Sequence, residues 1–273
     1  GWGVINLTNA GGGITIASSG VSSAGTTSTI SITTTGSGTI AVNAAVDAQL
    51  NDGNVNLNSA GSISGSGLIT GAQASLVANT GIDVNTSFSQ GFSTISSTTG
   101  DIIVSNQYSF DVPTIIAAGN VSMTSGQGLS VSNPITANSG TVTLTANGGG
   151  IQGNNFITAG TLAVNAVGIT LSGAITVAGT SSFNAGTGVI TLTNSSNDFT
   201  GDVTLNSTGA NVSITDANAL TLATPALGTN TGVTAIAGTT LTLSAFNLSI
   251  GTGNIDFQSL SGTLATNGTL TTS

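Results

Sequence analysis

Short bursts of alternating apolar and polar residues run through the chain, and each burst ends at Gly, Asn or Ser. Typical examples are Val142-Thr143-Leu144, Ile169-Thr170-Leu171 and Val203-Thr204-Leu205. A period of two residues, rich in β-branched side chains and bounded by turn formers, predicts short β-strands. Amphipathic stretches of helical period with suitable helix-forming residues are nearly absent. The sequence therefore predicts an all-β protein.

The bursts recur at a nearly constant interval. One series begins at Val121, Val142, Leu162, Ser182, Val203, Leu220 and Leu241, and a second at Val131, Ile151, Ile169, Ile190, Val212, Val233 and Leu248. Two interleaved series that share a period of about 20 residues indicate a repeat architecture. We expect a parallel β-solenoid of about 13–14 turns of roughly 20 residues, with equivalent strands stacked about 4.8 Å apart. A sandwich or barrel of short strands is the alternative fold.

The repeats are uneven along the chain, although we expect one β-solenoid domain over residues 1–273. Residues 114–273 keep the period well, residues 1–113 keep it less well, and residues 87–113 interrupt it. The sequence opens Gly1-Trp2-Gly3 without a Met, so we expect a processed chain or a segment of a longer one.

The side-chain inventory excludes most chemistry. The chain has no Lys, Arg, His or Cys, and its net charge is −9. Nucleic-acid binding requires basic side chains, and zinc sites, catalytic triads and Schiff bases each require a residue type that is missing. The longest apolar runs are too short to span a bilayer. We expect no enzyme activity, no cofactor, no nucleic-acid partner and no membrane insertion.

Part of the sequence resembles a known group of secreted proteins. The run 197–205, Asn-Asp-Phe-Thr-Gly-Asp-Val-Thr-Leu, and the run 210–222 that follows are similar to repeats of filamentous-haemagglutinin-like exoproteins and autotransporter passengers. In style the resemblance covers residues 114–260. It implies a right-handed parallel β-helix, export to the bacterial cell surface or beyond, and an adhesive or fibrous role.

Two acidic residues form a candidate cation site. Asp198 and Asp202 lie four positions apart in a Gly-containing turn, next to Asn197. Carboxylate and amide oxygens suit Ca²⁺. Asp is also a common turn former, and we favour that role here and for Asp47 and Asp52.

Aromatic residues suggest an interaction patch. Phe88, Phe92, Tyr108 and Phe110 fall in the irregular segment 87–113. Exposed on a loop, they would contact a glycan or another subunit. The favoured alternative is that they fill a small local core or a wider turn. Trp2 would close an open solenoid end or pack on a neighbouring subunit.

Three functions remain open. The first is a structural extracellular filament subunit that self-associates through its ends and its uncharged Ser, Thr and Asn faces, because the edges lack protective Lys and the surface lacks charge. The second is the shaft of a cell-surface adhesin that binds glycans or a host surface. The third and most distant is an ice-binding solenoid, suggested by pairs such as Thr141/Thr143 and Thr240/Thr242.

Overall fold

The structure is a computed structural model that describes residues 3–25, 27–50, 52–223, 226–228, 231–244, 248–250, 253–267 and 270–271. Every regular element in these residues is a β-strand, and the stacked parallel strands form a β-solenoid of about 12 turns. The predicted all-β solenoid is confirmed, with slightly fewer turns than the sequence period indicated. Within the described residues, no helix has the length and apolarity needed to cross a membrane.

The chain divides into two compact units, Gly1–Gln127 and Gly128–Ser273. The expectation of a single domain stays a prediction. The strands of the first unit are β1 (Val4–Asn9), β2 (Ile14–Ile16), β3 (Val21–Ser22), β4 (Thr29–Thr34), β5 (Ile40–Val42), β6 (Val46–Asp47), β7 (Asn54–Ser59), β8 (Ile63–Ala78), β9 (Ile82–Ser97), β10 (Ile102–Asn106), β11 (Phe110–Asp111), β12 (Ile115–Ile116) and β13 (Val121–Ser125).

Turn length changes along the first unit. Ile5 of β1 pairs with Ile30 of β4, and Ile30 pairs with Val55 of β7, so the first two turns are equally long. Val55 then pairs with Ala74 of β8 after a clearly shorter turn. The longer first turns explain both the weaker sequence period of residues 1–113 and the lower turn count. Ile30, Val55 and Ala74 are almost completely buried and form one column of the core.

Segment 87–113 belongs to the solenoid and is not a loop excursion. Most of it lies in β9, β10 and β11, and β9 and β10 pair in parallel. Its rhythm is irregular because the register between β8 and β9 shifts at three places. Gly91, with φ of +79°, lies at one of these irregularities. A Cβ atom there would come within 2.8 Å of Phe110 Cβ, so a glycine is required.

The second unit repeats more regularly. Its strands are β14 (Leu129–Val131), β15 (Ile135–Ala146), β16 (Ile151–Gly153), β17 (Ile157–Asn165), β18 (Ile169–Leu171), β19 (Ile175–Val177), β20 (Ser181–Asn184), β21 (Ile190–Leu192), β22 (Asp198–Phe199), β23 (Val203–Ser207), β24 (Val212–Asp216), β25 (Leu220–Leu222), β26 (Ala226–Leu227), β27 (Val233–Ala237), β28 (Leu241–Leu243), β29 (Leu248–Ser249), β30 (Ile255–Ser259), β31 (Leu264–Thr266) and β32 (Leu270–Thr271).

One aliphatic column runs through this unit in continuous parallel register. Its members are Leu129, Ile151, Ile169, Ile190, Val212, Val233 and Ile255. The second sequence series predicted the steps from Ile151 to Val233 correctly, but it began at Val131, where the register places Leu129.

The same series also ended wrongly, at Leu248. That residue pairs with Leu270 in a separate two-stranded sheet. Ile255 takes the last position of the column because the final turn is about as long as the turns before it, whereas the series assumed a much shorter one.

A second column contains a polar residue. Ser181 of β20 lies between Leu162 and Val203 in register, and its neighbour Ser182 lies on the outer face beside Thr204. The sequence series began this burst at Ser182, one residue later, because it assumed nearly equal steps, whereas the turn before Ser181 is shorter than the turn after it. Ser181 is only 2% exposed, and its hydroxyl has no hydrogen-bond partner.

Replacing Ser181 by Ala is expected to stabilise the protein. The substitution removes a buried, unpaired hydroxyl from an aliphatic column, which should raise the free energy of unfolding by about 1 kcal/mol. Urea denaturation would measure the change. The matched control is Ser182→Ala on the outer face, for which we expect a change within about 0.5 kcal/mol. A lower stability for Ser181→Ala would contradict the burial argument.

Candidate functional site

The outer face of the second unit presents a column of polar side chains. In parallel register it contains Ser130, Gln152, Thr170, Thr191, Ser213, Thr234 and Asp256. The sequence predicted the outward orientation of Gln152, Thr170, Thr191 and Ser213, and the structure confirms it. The strands stack about 4.8 Å apart, so the column offers hydroxyl and amide groups at that spacing. It is uncharged until Asp256.

Two shallow grooves lie along this column. The first, of about 350 Å³, is centred on Gly232, and its lining includes Asn211, Ser213, Thr234 and Asn254. The second, of about 330 Å³, lies around Gly153 and is lined by Ser, Thr, Asn and Gln side chains of neighbouring turns. Among the described residues, no ionisable side chain lines either groove. Both can exchange hydrogen bonds with a neutral polar ligand but cannot neutralise a charged one.

The first unit has a similar outer column. Asn6, Ser31, Asn56, Ser75 and Thr94 lie in register on β1, β4, β7, β8 and β9. A different column of the same unit contains Asp83, Ile103 and Ser122, where Ile103 is 39% exposed. The outer surface along β1 to β9 is thus dominated by uncharged hydrogen-bonding groups in this unit too.

The candidate cation site at Asp198 and Asp202 lacks the neighbouring carboxamide of Asn197 that the sequence offered. Asp198 starts β22 in register with Thr176, and Asp202 is exposed in the following turn. Asn197 is completely buried, and its Oδ1 accepts a hydrogen bond from Ile175 N at 2.9 Å. It is therefore unavailable as a cation ligand beside the two carboxylates. No group of three or more metal-binding side chains occurs in the described residues.

Asp47 and Asp52, the other acidic pair, have different surroundings. Asp47 Oδ1 accepts a hydrogen bond from Gln49 N at 2.8 Å, which is a turn-forming interaction, and Asp52 is exposed.

The candidate aromatic patch is not an exposed surface at three of its residues. Phe88, Phe92 and Phe110 are at most 7% exposed and form a chain of edge-to-face contacts, with centroid distances of 5.5 and 5.2 Å. They are core residues because β9 and β11 point them inward, as the favoured alternative expected. Tyr108 is half-buried. Trp2 lies outside the described residues.

Buried polar residues at strand ends were missed by the sequence analysis. In the first unit Asn106 Oδ1 accepts hydrogen bonds from Thr86 Oγ1 and Phe88 N, and Asn106 Nδ2 donates to the carbonyls of Phe88 and Tyr108. Asn197 Nδ2 donates to Leu192 O and Thr215 O in the second unit. Each carboxamide satisfies backbone groups where the chain turns.

A sequence signal for these residues existed. Asn106 follows Ile102 and Val104 at the same parity and therefore continues the inward face of β10. A polar residue that occupies an inward-facing position at the end of a strand indicates a buried turn-forming side chain.

Asp216 is the one acidic residue among these buried positions in the described chain. It is 1% exposed, its Oδ2 accepts a hydrogen bond from Phe199 N at 2.7 Å, and its Oδ1 accepts one from Asn218 N at 2.6 Å. Burial raises the pKa of Asp216 above the ordinary value, the two backbone hydrogen bonds oppose this, and the nearby charge of Asp198 adds to the increase. The chain contains no Lys, Arg or His that could pair with it.

The comparison with protein families gives a match. Residues 153–206, from the end of β16 to β23, match a family model described as repeats of unknown function (DUF5649). No curated protein and no solved structure matches the chain. The match covers turns of the second unit, and together with the solenoid fold it is consistent with a repeat β-helix protein.

The buried carboxyl predicts a dependence of stability on pH. The pKa of Asp216 is higher in the folded state than in the unfolded state, so protonation of this carboxyl stabilises the fold. This stabilisation is complete below the unfolded-state pKa and is lost as the pH rises through the folded-state pKa. Lowering the pH from neutral towards the ordinary value of 3.8 should raise the thermal midpoint. Asp216→Asn should weaken this dependence.

The matched control is Asp256→Asn. It removes the same charge from an exposed side chain that contacts only Gln258 among the described hydrogen bonds. Equal pH dependence in both variants would show that general charge repulsion, and not the burial of Asp216, governs the effect.

Proposed function

We propose that this protein is a structural subunit of an extracellular filament at the bacterial cell surface, and that it associates with further copies of itself. The observation that supports the proposal most directly is the chemistry of the outer columns in both units. They consist largely of Ser, Thr, Asn and Gln, with no basic side chain anywhere in the chain. In this proposal the role is structural, not catalytic.

Low surface charge favours association. Soluble monomers usually rely on abundant mixed surface charges to stay apart. Here the net charge is −9 over 273 residues, and the Debye length at physiological ionic strength is only about 8 Å. The Ser, Thr and Asn columns both donate and accept hydrogen bonds, so the same face on a second copy is a chemically suitable partner.

The backbone of β1 supports association through strand pairing. Gly3 O accepts a hydrogen bond from Thr29 N, and Asn9 O accepts one from Thr35 N. Because alternate residues of a parallel strand bond to the same neighbour, the N–H and C=O groups of Val4, Asn6 and Thr8 point away from β4. Among the described residues, β4 is the only strand paired with β1. No charged residue guards this edge.

A glycan-binding adhesin shaft is the second candidate. The two uncharged grooves of the second unit favour it, since their hydroxyl and amide groups suit a neutral sugar. Because the phenylalanines of segment 87–113 are buried, they would not contact such a sugar. For ice binding the support is weaker, because Gln152, Ser213 and Asp256 interrupt the Thr residues of the outer column.

Electron microscopy of the purified chain tests the filament proposal. We expect filaments whose diffraction contains the inter-strand spacing of about 4.8 Å along the axis. Association should increase with salt, because screening weakens repulsion between anionic copies. Dispersed monomers at all salt concentrations would contradict the proposal, and glycan binding by such monomers would favour the adhesin.

Two variants locate the contact. Asn6→Pro removes an N–H that points away from β4 while leaving the β1–β4 ladder intact, so it should reduce association through this edge. Asn6→Ser is its control.

Thr191→Asp places a carboxylate in the middle of the outer column of the second unit and should reduce association through that face, whereas Thr191→Ser should not. Light scattering would measure both pairs. Unchanged association in both Asn6→Pro and Thr191→Asp would exclude these two surfaces.

A further inference from the structure

Asn147 occupies an unusual turn in the second unit. It follows β15 and precedes three consecutive glycines, Gly148 to Gly150, before β16 begins. Both Asn147 and Gly148 are exposed. Within the described structure, the Asn147 carboxamide and the Gly148 N–H form no hydrogen bond. The amide carbon of the side chain and the backbone nitrogen that follows it are therefore both unconstrained.

Other turn asparagines are held differently. Asn155 Oδ1 accepts a hydrogen bond from Phe156 N at 3.0 Å, Asn194 Oδ1 accepts one from Ser196 N at 2.8 Å, and Asn211 Oδ1 accepts one from Gly232 N at 2.9 Å. Asn194 Nδ2 also donates to Ser172 O. These bonds fix the orientation of each carboxamide. Asn147 lacks such bonds, so it can adopt the conformation in which its own side chain meets the next backbone nitrogen.

We propose that Asn147 is a site of spontaneous deamidation through a cyclic imide. The Gly148 nitrogen gives up its proton to solvent and attacks Asn147 Cγ, forming an N–Cγ bond. The bond from Cγ to the side-chain nitrogen breaks, and that nitrogen leaves as ammonia after taking up a proton. Water then opens the five-membered imide at either carbonyl, leaving aspartate or isoaspartate. No oxidant, reductant or cofactor is needed.

Two physical features accelerate this step. The reacting groups belong to adjacent residues, so the attack is intramolecular and requires no encounter. Gly148 has no Cβ, which leaves its nitrogen accessible and lets the backbone rotate into the cyclising geometry. A β-strand would prevent this rotation, but Asn147 and Gly148 both lie outside β15 and β16.

The product changes the local surface. The reaction adds one carboxylate, taking the net charge from −9 to −10. The turn 147–150 is joined to the adjacent turn segment 166–168 by a hydrogen bond from Val167 N to Gly149 O at 2.9 Å. Neither of these two segments contains an ionisable residue. Deamidation would therefore introduce negative charge into an uncharged corner. This inference does not depend on the proposed filament.

Incubation of the purified chain in mildly alkaline buffer at physiological temperature tests the proposal. Chymotrypsin or elastase fragments would be analysed by mass spectrometry, since trypsin has no cleavage site in the chain. Replacement of the side-chain amide by a carboxyl adds about one mass unit, and electron-based fragmentation separates isoaspartate from aspartate. We expect Asn147 to convert well before Asn155 and Asn194, with both isomers formed, and the product to bind more strongly to an anion exchanger.

Variants of the turn make the test specific. Gly148→Ala should slow conversion roughly tenfold, equivalent to about 1.4 kcal/mol in the barrier. Asn147→Gln should abolish conversion at this position while circular dichroism remains unchanged. Conversion of Asn147 no faster than that of Asn194 would overturn the proposal, as would an unaltered rate in Gly148→Ala.

Discussion

The parallel backbone ladder between successive turns is the constraint on which the rest of this structure depends. Each strand pairs with the equivalent strand of the next turn, and this register aligns like with like even where turn lengths differ. Apolar residues such as Ile169 and Ile190 then meet in continuous buried columns, and hydroxyl residues such as Thr170 and Thr191 meet on the outer face. One hydrogen-bonding pattern thus determines both the core and the surface chemistry of each unit.

The absence of basic residues imposes a second constraint. With no Lys, Arg or His in the chain, a buried polar group needs hydrogen-bond partners among neutral groups, which Ser181 lacks. Asn106 and Asn197 meet this requirement with carboxamides that bond to main-chain groups at the turns. Asp216 meets it only in part, because two N–H groups stabilise its charge while burial opposes it.

The same lack of basic residues leaves the outer surface largely uncharged. Hydroxyl and amide columns and shallow uncharged grooves present many neutral hydrogen-bonding groups. In the proposed filament, such groups would act together by repetition along stacked turns. The turn at Asn147 differs from this pattern, because its reactivity arises from missing contacts.

The sequence by itself determined the all-β class, the parallel solenoid and the outward orientation of residues such as Thr170, because strand alternation and repeat period are local properties that a turn-to-turn register preserves. Only the tertiary structure decided which residues face the core where turn lengths are unequal and where a strand ends. It placed Ser181 in the core, one residue before the series position Ser182, assigned Ile255 rather than Leu248 to the last step, and buried Phe88, Phe92 and Phe110. A period averaged over the chain cannot resolve a shift of one residue, yet in a β-strand that shift exchanges the inner and outer faces.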